Sequence, residues 1–211
     1  NNFDFKESTF VLMNRRYYYW VPKVKELIRN NLIYKIVVNI PERNNNNTWH
    51  NIPISLIDNS IHVFDLIYYL CEGFEETLFK KIETNSAFVL TNSKKIDEIY
   101  FHLNLNCIEN FSIKFYLKDN SLISCSPLEN ATHFKSFNII QETKKNFVKK
   151  YIPLPEPFNV EENIMEYEKP GILSLCKDLI SYQKGNGLNK IKLPNINQSR
   201  EVMMWLKNLY E

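Results

Sequence analysis

The chain has 211 residues, 44% apolar and 14% aromatic, enough to build one sizeable hydrophobic core and part of a second. Its 26 lysines and arginines against 24 aspartates and glutamates leave a formal charge of +2, far from the basic footprint that a phosphate backbone demands, so nucleic acid is not an expected partner. No apolar run approaches the ~20 residues that span a bilayer, and the four cysteines (Cys71, Cys107, Cys125 and Cys176) form no C-x-x-C pair; both features point to a cytoplasmic protein with no membrane partner.

The sequence opens without Met, in the middle of a pattern, and reads as a piece of a longer protein. Residues 9–13 are a short apolar run of the kind a buried strand carries, followed by the basic and aromatic stretch 14–20. A helix is predicted over 21–30, with Pro22 tolerated in its first turn and Val24, Leu27 and Ile28 on one face. A strand is predicted over 32–40. Residues 41–53 hold four consecutive asparagines, Asn44 to Asn47, whose side chains compete for backbone hydrogen bonds, so this stretch is predicted to be a loop.

Residues 54–70 have helical length and an apolar surface broken on one side by Asp58, His62 and Asp65. Beyond them, 75–151 reads as successive strands, and the runs 99–105, 111–117 and 122–125 suit an antiparallel meander with one face covered. The Pro-rich stretch 152–158 is expected to break that sheet. Two helices, 171–184 and 197–210, close the chain, joined by a loop with Gly185, Gly187 and Pro194.

Residues at i, i+4 and i+7 share one helix face, so Asp58, His62 and Asp65 are expected to form one polar stripe. Ionisable groups on so apolar a helix are costly unless they are paired or open into a cleft. Two readings follow: a buried histidine satisfied by a neighbouring carboxylate for structural reasons, or a general base working near neutral pH. His50, His62 and Asp58 lack any recognised zinc spacing, and no metal site is expected.

At these residues the chain resembles the glucose-fructose oxidoreductase and inositol dehydrogenase (Gfo/Idh/MocA) family. The resemblance rests on Val11-Leu12-Met13-Asn14-Arg15-Arg16-Tyr17, on the D-x-x-x-H-x-x-D pattern Asp58 to Asp65, and on the order of sheet and closing helices. It implies an α+β fold, a large and mostly antiparallel open sheet with helices on one face, with 1–20 as the end of a Rossmann domain and 21–211 as a substrate-binding and dimerisation domain.

The resemblance also implies hydride transfer between NAD or NADP and a sugar, cyclitol or sugar-nucleotide substrate. His62 would be the acid/base, with Asp58 orienting it; Asp65, Arg16, Trp49 and His50 would line the substrate cleft, and the exposed sheet face would form a homodimer or higher oligomer. A non-catalytic sugar-binding or dimerisation module is the alternative. The family's catalytic lysine lies in a Glu-Lys-Pro motif after a Rossmann strand. Glu168-Lys169-Pro170 spells that tripeptide but precedes a helix, so Lys169 is expected to be a surface residue. Gly185-Asn186-Gly187 fails the G-x-G-x-x-G fingerprint, and cofactor binding is expected mainly from the absent domain.

Overall fold

The computed structural model of the chain describes residues 10–43, 47–49, 51–83, 85–105, 107–141, 149–158, 170–184 and 194–211. A 3-10 turn at Asn14–Tyr17 leads into α1 (Val21–Arg29), where Pro22 sits in the first turn, a place that needs no backbone donor. Val21, Val24 and Ile28 of α1 face inward. Then come β1 (Ile33–Glu42), a two-strand hairpin of β2 (Thr48–Trp49) and β3 (Ile52–Pro53), a π-helical turn at Leu56–Ser60, and α2 (Ile61–Cys71). The loop predicted over 41–53 therefore carries the end of β1 and this small hairpin.

The remaining strands are β4 (Thr77–Ile82), β5 (Ser86–Thr91), β6 (Glu98–Leu105), β7 (Ser112–Leu117), β8 (Leu122–Cys125), β9 (Ala131–Gln141) and β10 (Lys149–Pro157). Helices α3 (Ile172–Gln183) and α4 (Ile196–Tyr210) follow. Eight strands form one open sheet in the order β10-β9-β8-β7-β1-β6-β5-β4. The meander expected from the sequence is split: β1 inserts between β7 and β6, antiparallel to the first and parallel to the second. The architecture is α+β, as the resemblance implied.

Alternation along the strands makes one face apolar. Ile36, Val38 and Ile40 of β1, Ile99, Phe101 and Leu103 of β6, and Ile113 and Phe115 of β7 are all buried. Against that face lies α2, whose Val63, Phe64, Leu66, Ile67 and Leu70 are fully buried. Phe64, Phe74, Phe101 and Trp205 interlock with ring centroids 4.5 to 5.7 Å apart, tying α2 and α4 to the sheet. Trp20, with no exposed surface, packs on Phe115 and donates its indole N–H to the Leu128 carbonyl at 2.8 Å.

Two expectations are corrected. Residues 10–13 join no sheet: Phe10 makes a single bridge to Asn195, and the Val11 N–H donates to Pro194 at 3.0 Å. An extended run becomes a strand only beside a partner with a matching ladder, and among the described residues the backbone of 10–13 pairs across only with the turn before α4. Conversely, the Pro-rich 152–158 does not break the sheet, because Pro153, Pro155 and Pro157 belong to β10. That strand is the sheet's edge, paired only to β9, so prolines at alternate positions turn their nitrogens to the open side, where no ladder donor is needed.

Candidate functional site

The helix predicted over 54–70 forms, but in two parts. Ile54 and Ser55 open it, Leu56–Ser60 are π-helical, and the long α-helical part starts at Ile61. Such turns are rare and recur at functional sites. Asp58 lies in this turn and is exposed; His62, one position into α2, is half-buried; Asp65 is buried at 1% exposure. The three polar residues thus step from solvent into the core along the helix.

Asp65 does not open into a cleft. Its two oxygens accept from Arg16, Nε at 2.8 Å and an Nη at 2.7 Å, and both side chains are almost wholly buried. The Arg16 guanidinium also lies over the Tyr69 ring at 4.6 Å, and the Lys25 ammonium lies 3.4 Å from the same ring centroid. Burial, then the charge of Arg29, lowers Lys25 to about 8. Arg16 and Asp65 join the 3-10 turn to α2 from within, because a buried guanidinium needs a carboxylate partner.

Glu42, Asn59, Ser60 and Phe111, which the sequence did not single out, meet Arg15 of the basic and aromatic stretch at the end of the π turn. Glu42, at the end of β1, accepts through Oε1 from the Ser60 hydroxyl at 2.5 Å and from Asn59 Nδ2 at 3.1 Å. Asn59 Oδ1 in turn accepts from Arg15 at 3.3 Å, and the Arg15 guanidinium stands 5.4 Å from the Phe111 ring centroid. Tyr18 donates its hydroxyl to Glu129 at 3.2 Å; burial and that carboxylate push the phenol up to about 12, so it stays a donor. A carboxylate, a guanidinium and an aromatic ring are thus gathered around Asn59, the residue after Asp58. Nothing in the linear pattern marks Glu42, which lies 18 residues before Ser60.

Trp49 lies in β2, paired with Ile52, and His50 falls outside the described residues. A cavity of about 480 Å³ opens beside this hairpin, between Thr48, Asn51 and Pro53, the sheet residues Ala87 and Leu103, and Tyr210 of α4. Neither Asp58 nor His62 lines it. Of the Glu168-Lys169-Pro170 stretch only Pro170 is described, its carbonyl accepting from Asn14 at 3.1 Å; the Gly185 to Gly187 loop lies outside the described residues. Among the described residues no three His, Cys, Asp or Glu side chains gather as a metal site would require, and no helix is long and apolar enough to cross a membrane.

No protein-family model matches the chain, and no curated protein sequence matches it. Solved structures do. A dehydrogenase from Chromobacterium violaceum superposes with a TM-score of 0.63 at 12% identity, over 94% of this chain and 59% of its own. The super-repressor mutant of Gal80p from Saccharomyces cerevisiae gives 0.60 at 10%, over 96% and 62%. Levoglucosan dehydrogenase, in complex with NADH and L-sorbose, gives 0.58 at 9%, over 97% and 63%. The chain spans about three fifths of the length of the structures it matches. Its fold is that of the C-terminal, open-sheet half of Gfo/Idh/MocA-type oxidoreductases.

Proposed function

We propose that this chain is the substrate-side domain of a nicotinamide-dependent oxidoreductase that moves a hydride to or from a hydroxyl-bearing carbon of a sugar, cyclitol or nucleotide-linked sugar. The observation that carries this reading is the start of α2: a half-buried His62 on a helix that is mostly core, entered through a π turn that holds Asp58 at the surface. In the oxidative direction His62 takes the hydroxyl proton as the hydride leaves the same carbon; in the reductive direction it returns that proton. Asp58 orients the imidazole. The surface carrying Glu42, Asn59, Arg15 and Phe111 matches a polyhydroxyl ligand, with hydrogen-bonding groups for hydroxyls and a ring for a C–H face.

Neither described glycine offers the phosphates of a dinucleotide, NAD or NADP, a turn at a free helix N-terminus. Gly73 follows the C-terminus of α2, the negative end of the helix dipole, which repels a phosphate. Gly171 precedes α3, but the Asn14 carbonyl oxygen stands 2.5 Å from where a Cβ would be, so that turn is packed shut. In this reading residues 1–20 end a Rossmann domain that carries the dinucleotide, and 21–211 supply the acid/base and the substrate contacts. A cytoplasmic location goes with it, and the four free cysteines are compatible with that.

The outer sheet face supports self-association. Phe79, Phe88, Tyr100 and His102 form one aromatic row, with centroids 4.9 to 5.9 Å apart, and Tyr34 and Tyr116 a second. Phe79 is half-exposed, which favours a second copy of the chain as cover. A second reading, for which a neighbour described as a super-repressor leaves room, is a non-catalytic sugar-binding or dimerisation module on the same fold. Incubating the intact protein with NAD or NADP and a panel of sugars and cyclitols separates the two. Substrate-dependent reduction of the nicotinamide supports the enzyme, whereas sugar binding without reduction supports the module.

A further inference from the structure

The π turn at Leu56–Ser60 is held from outside by one carboxylate. A single oxygen of Glu42 accepts from both of the turn's last residues, Asn59 and Ser60, at 3.1 and 2.5 Å. The other end of the Asn59 amide is held by Arg15 at 3.3 Å, and Ser60 is fully buried. β1 and the 3-10 turn are thus both fastened to the two residues that join the π turn to α2.

A π turn carries an extra residue and poorer hydrogen-bond geometry than an α-helix, so it persists where outside contacts favour it. Asp58 precedes the fastened pair, and His62 follows it by two residues. Were the extra residue absorbed into regular helix, everything on the N-terminal side would rotate by about 100° around the axis, carrying Asp58 with it. We infer that Glu42 is a positioning residue: its carboxylate clamps the π turn and so sets the angle at which Asp58 stands to His62. This deepens the reading given above, on which His62 is the acid/base and Asp58 its partner.

The test follows two NMR readouts in the full chain, amide hydrogen exchange across 56–61 and the titration midpoint of the His62 imidazole. It compares the parent with Glu42→Gln, Glu42→Ala and Asp58→Asn. Glutamine removes the charge but keeps an acceptor oxygen; alanine removes both. The inference predicts that Glu42→Ala speeds exchange in the turn at least about tenfold and moves the His62 midpoint downward, as Asp58→Asn does. Glu42→Gln should keep exchange within about threefold of the parent.

Equal exchange in the Ala and Gln variants would overturn it, since the carboxylate would then act by charge alone. Unchanged exchange in Glu42→Ala would overturn it as well. A His62 midpoint that ignores both Glu42→Ala and Asp58→Asn would overturn the coupling of Asp58 to His62, whatever the exchange rates. Failure of the oxidoreductase reading itself would appear separately, as absent turnover in the intact protein.

Discussion

Arg16 and Asp65, 49 residues apart in sequence, meet as a two-pronged ion pair inside the protein, with contacts of 2.8 and 2.7 Å. Removing one partner leaves the other charge buried and uncompensated. Asp65→Ala is therefore expected to cost about 3–5 kcal/mol. The double change Arg16→Met with Asp65→Leu should recover most of that loss. Urea unfolding midpoints of the three proteins check it, and a double variant as unstable as the single one would contradict the buried-pair account.

The turn before α3 is packed against the 3-10 turn. Gly171 has φ +80, and a Cβ there would lie 2.5 Å from the Asn14 carbonyl oxygen. Gly171→Ala should destabilise by about 1–3 kcal/mol through the positive φ, with the clash adding to it. Thermal unfolding of the variant decides. A shift within about 0.5 kcal/mol, the range of an indifferent surface change, would show that α3 is not docked this way.

Lys25 gives stability a distinctive pH dependence. Burial first, then nearby Arg29, lowers its folded-state pKa from the ordinary 10.5 to about 8. Between pH 8 and 9 the unfolded chain keeps this proton while the folded protein gives it up, so the unfolded state binds more protons and stability rises with pH. From about pH 8.5 upward the sign is opposite for Cys71 and Cys125, whose thiols burial pushes well above the ordinary 9.0, because the unfolded thiols ionise first. Between about pH 7.5 and 8.5 the denaturation midpoint should therefore rise in the parent, and its slope there should be lower in Lys25→Met. Identical slopes in the two proteins would contradict the assignment.

Helices α1 and α4 and strands β6, β7 and β8 were legible because their evidence is local: a 3.6-residue or two-residue period bounded by Pro, Asn or Gly. β10 was misread because being an edge strand is a tertiary fact, and only an edge accommodates Pro153, Pro155 and Pro157. The polar stripe of α2 was visible as Asp58, His62 and Asp65, but not the inward step that sends Asp65 to Arg16, since direction depends on a partner far away in sequence. Glu42 was invisible for the same reason: its role lies in touching Asn59 and Ser60.

The prolines of β10 carry a prediction of their own. Replacing Pro153 and Pro155 with threonine supplies two further backbone donors along the open edge. The double variant should associate edge to edge, with sedimentation that depends more steeply on concentration than in the parent. Indistinguishable sedimentation would mean that the prolines do not guard this edge.

The central claim is that His62 exchanges a proton with the substrate hydroxyl while the fold stays indifferent to its loss. The most direct measurement is substrate-dependent nicotinamide reduction by the intact protein carrying His62→Ala, beside the parent, with unfolding midpoints for both. The account predicts a fall in kcat of about 10²- to 10⁴-fold, with folding and nicotinamide affinity unchanged. Turnover near that of the parent would contradict it.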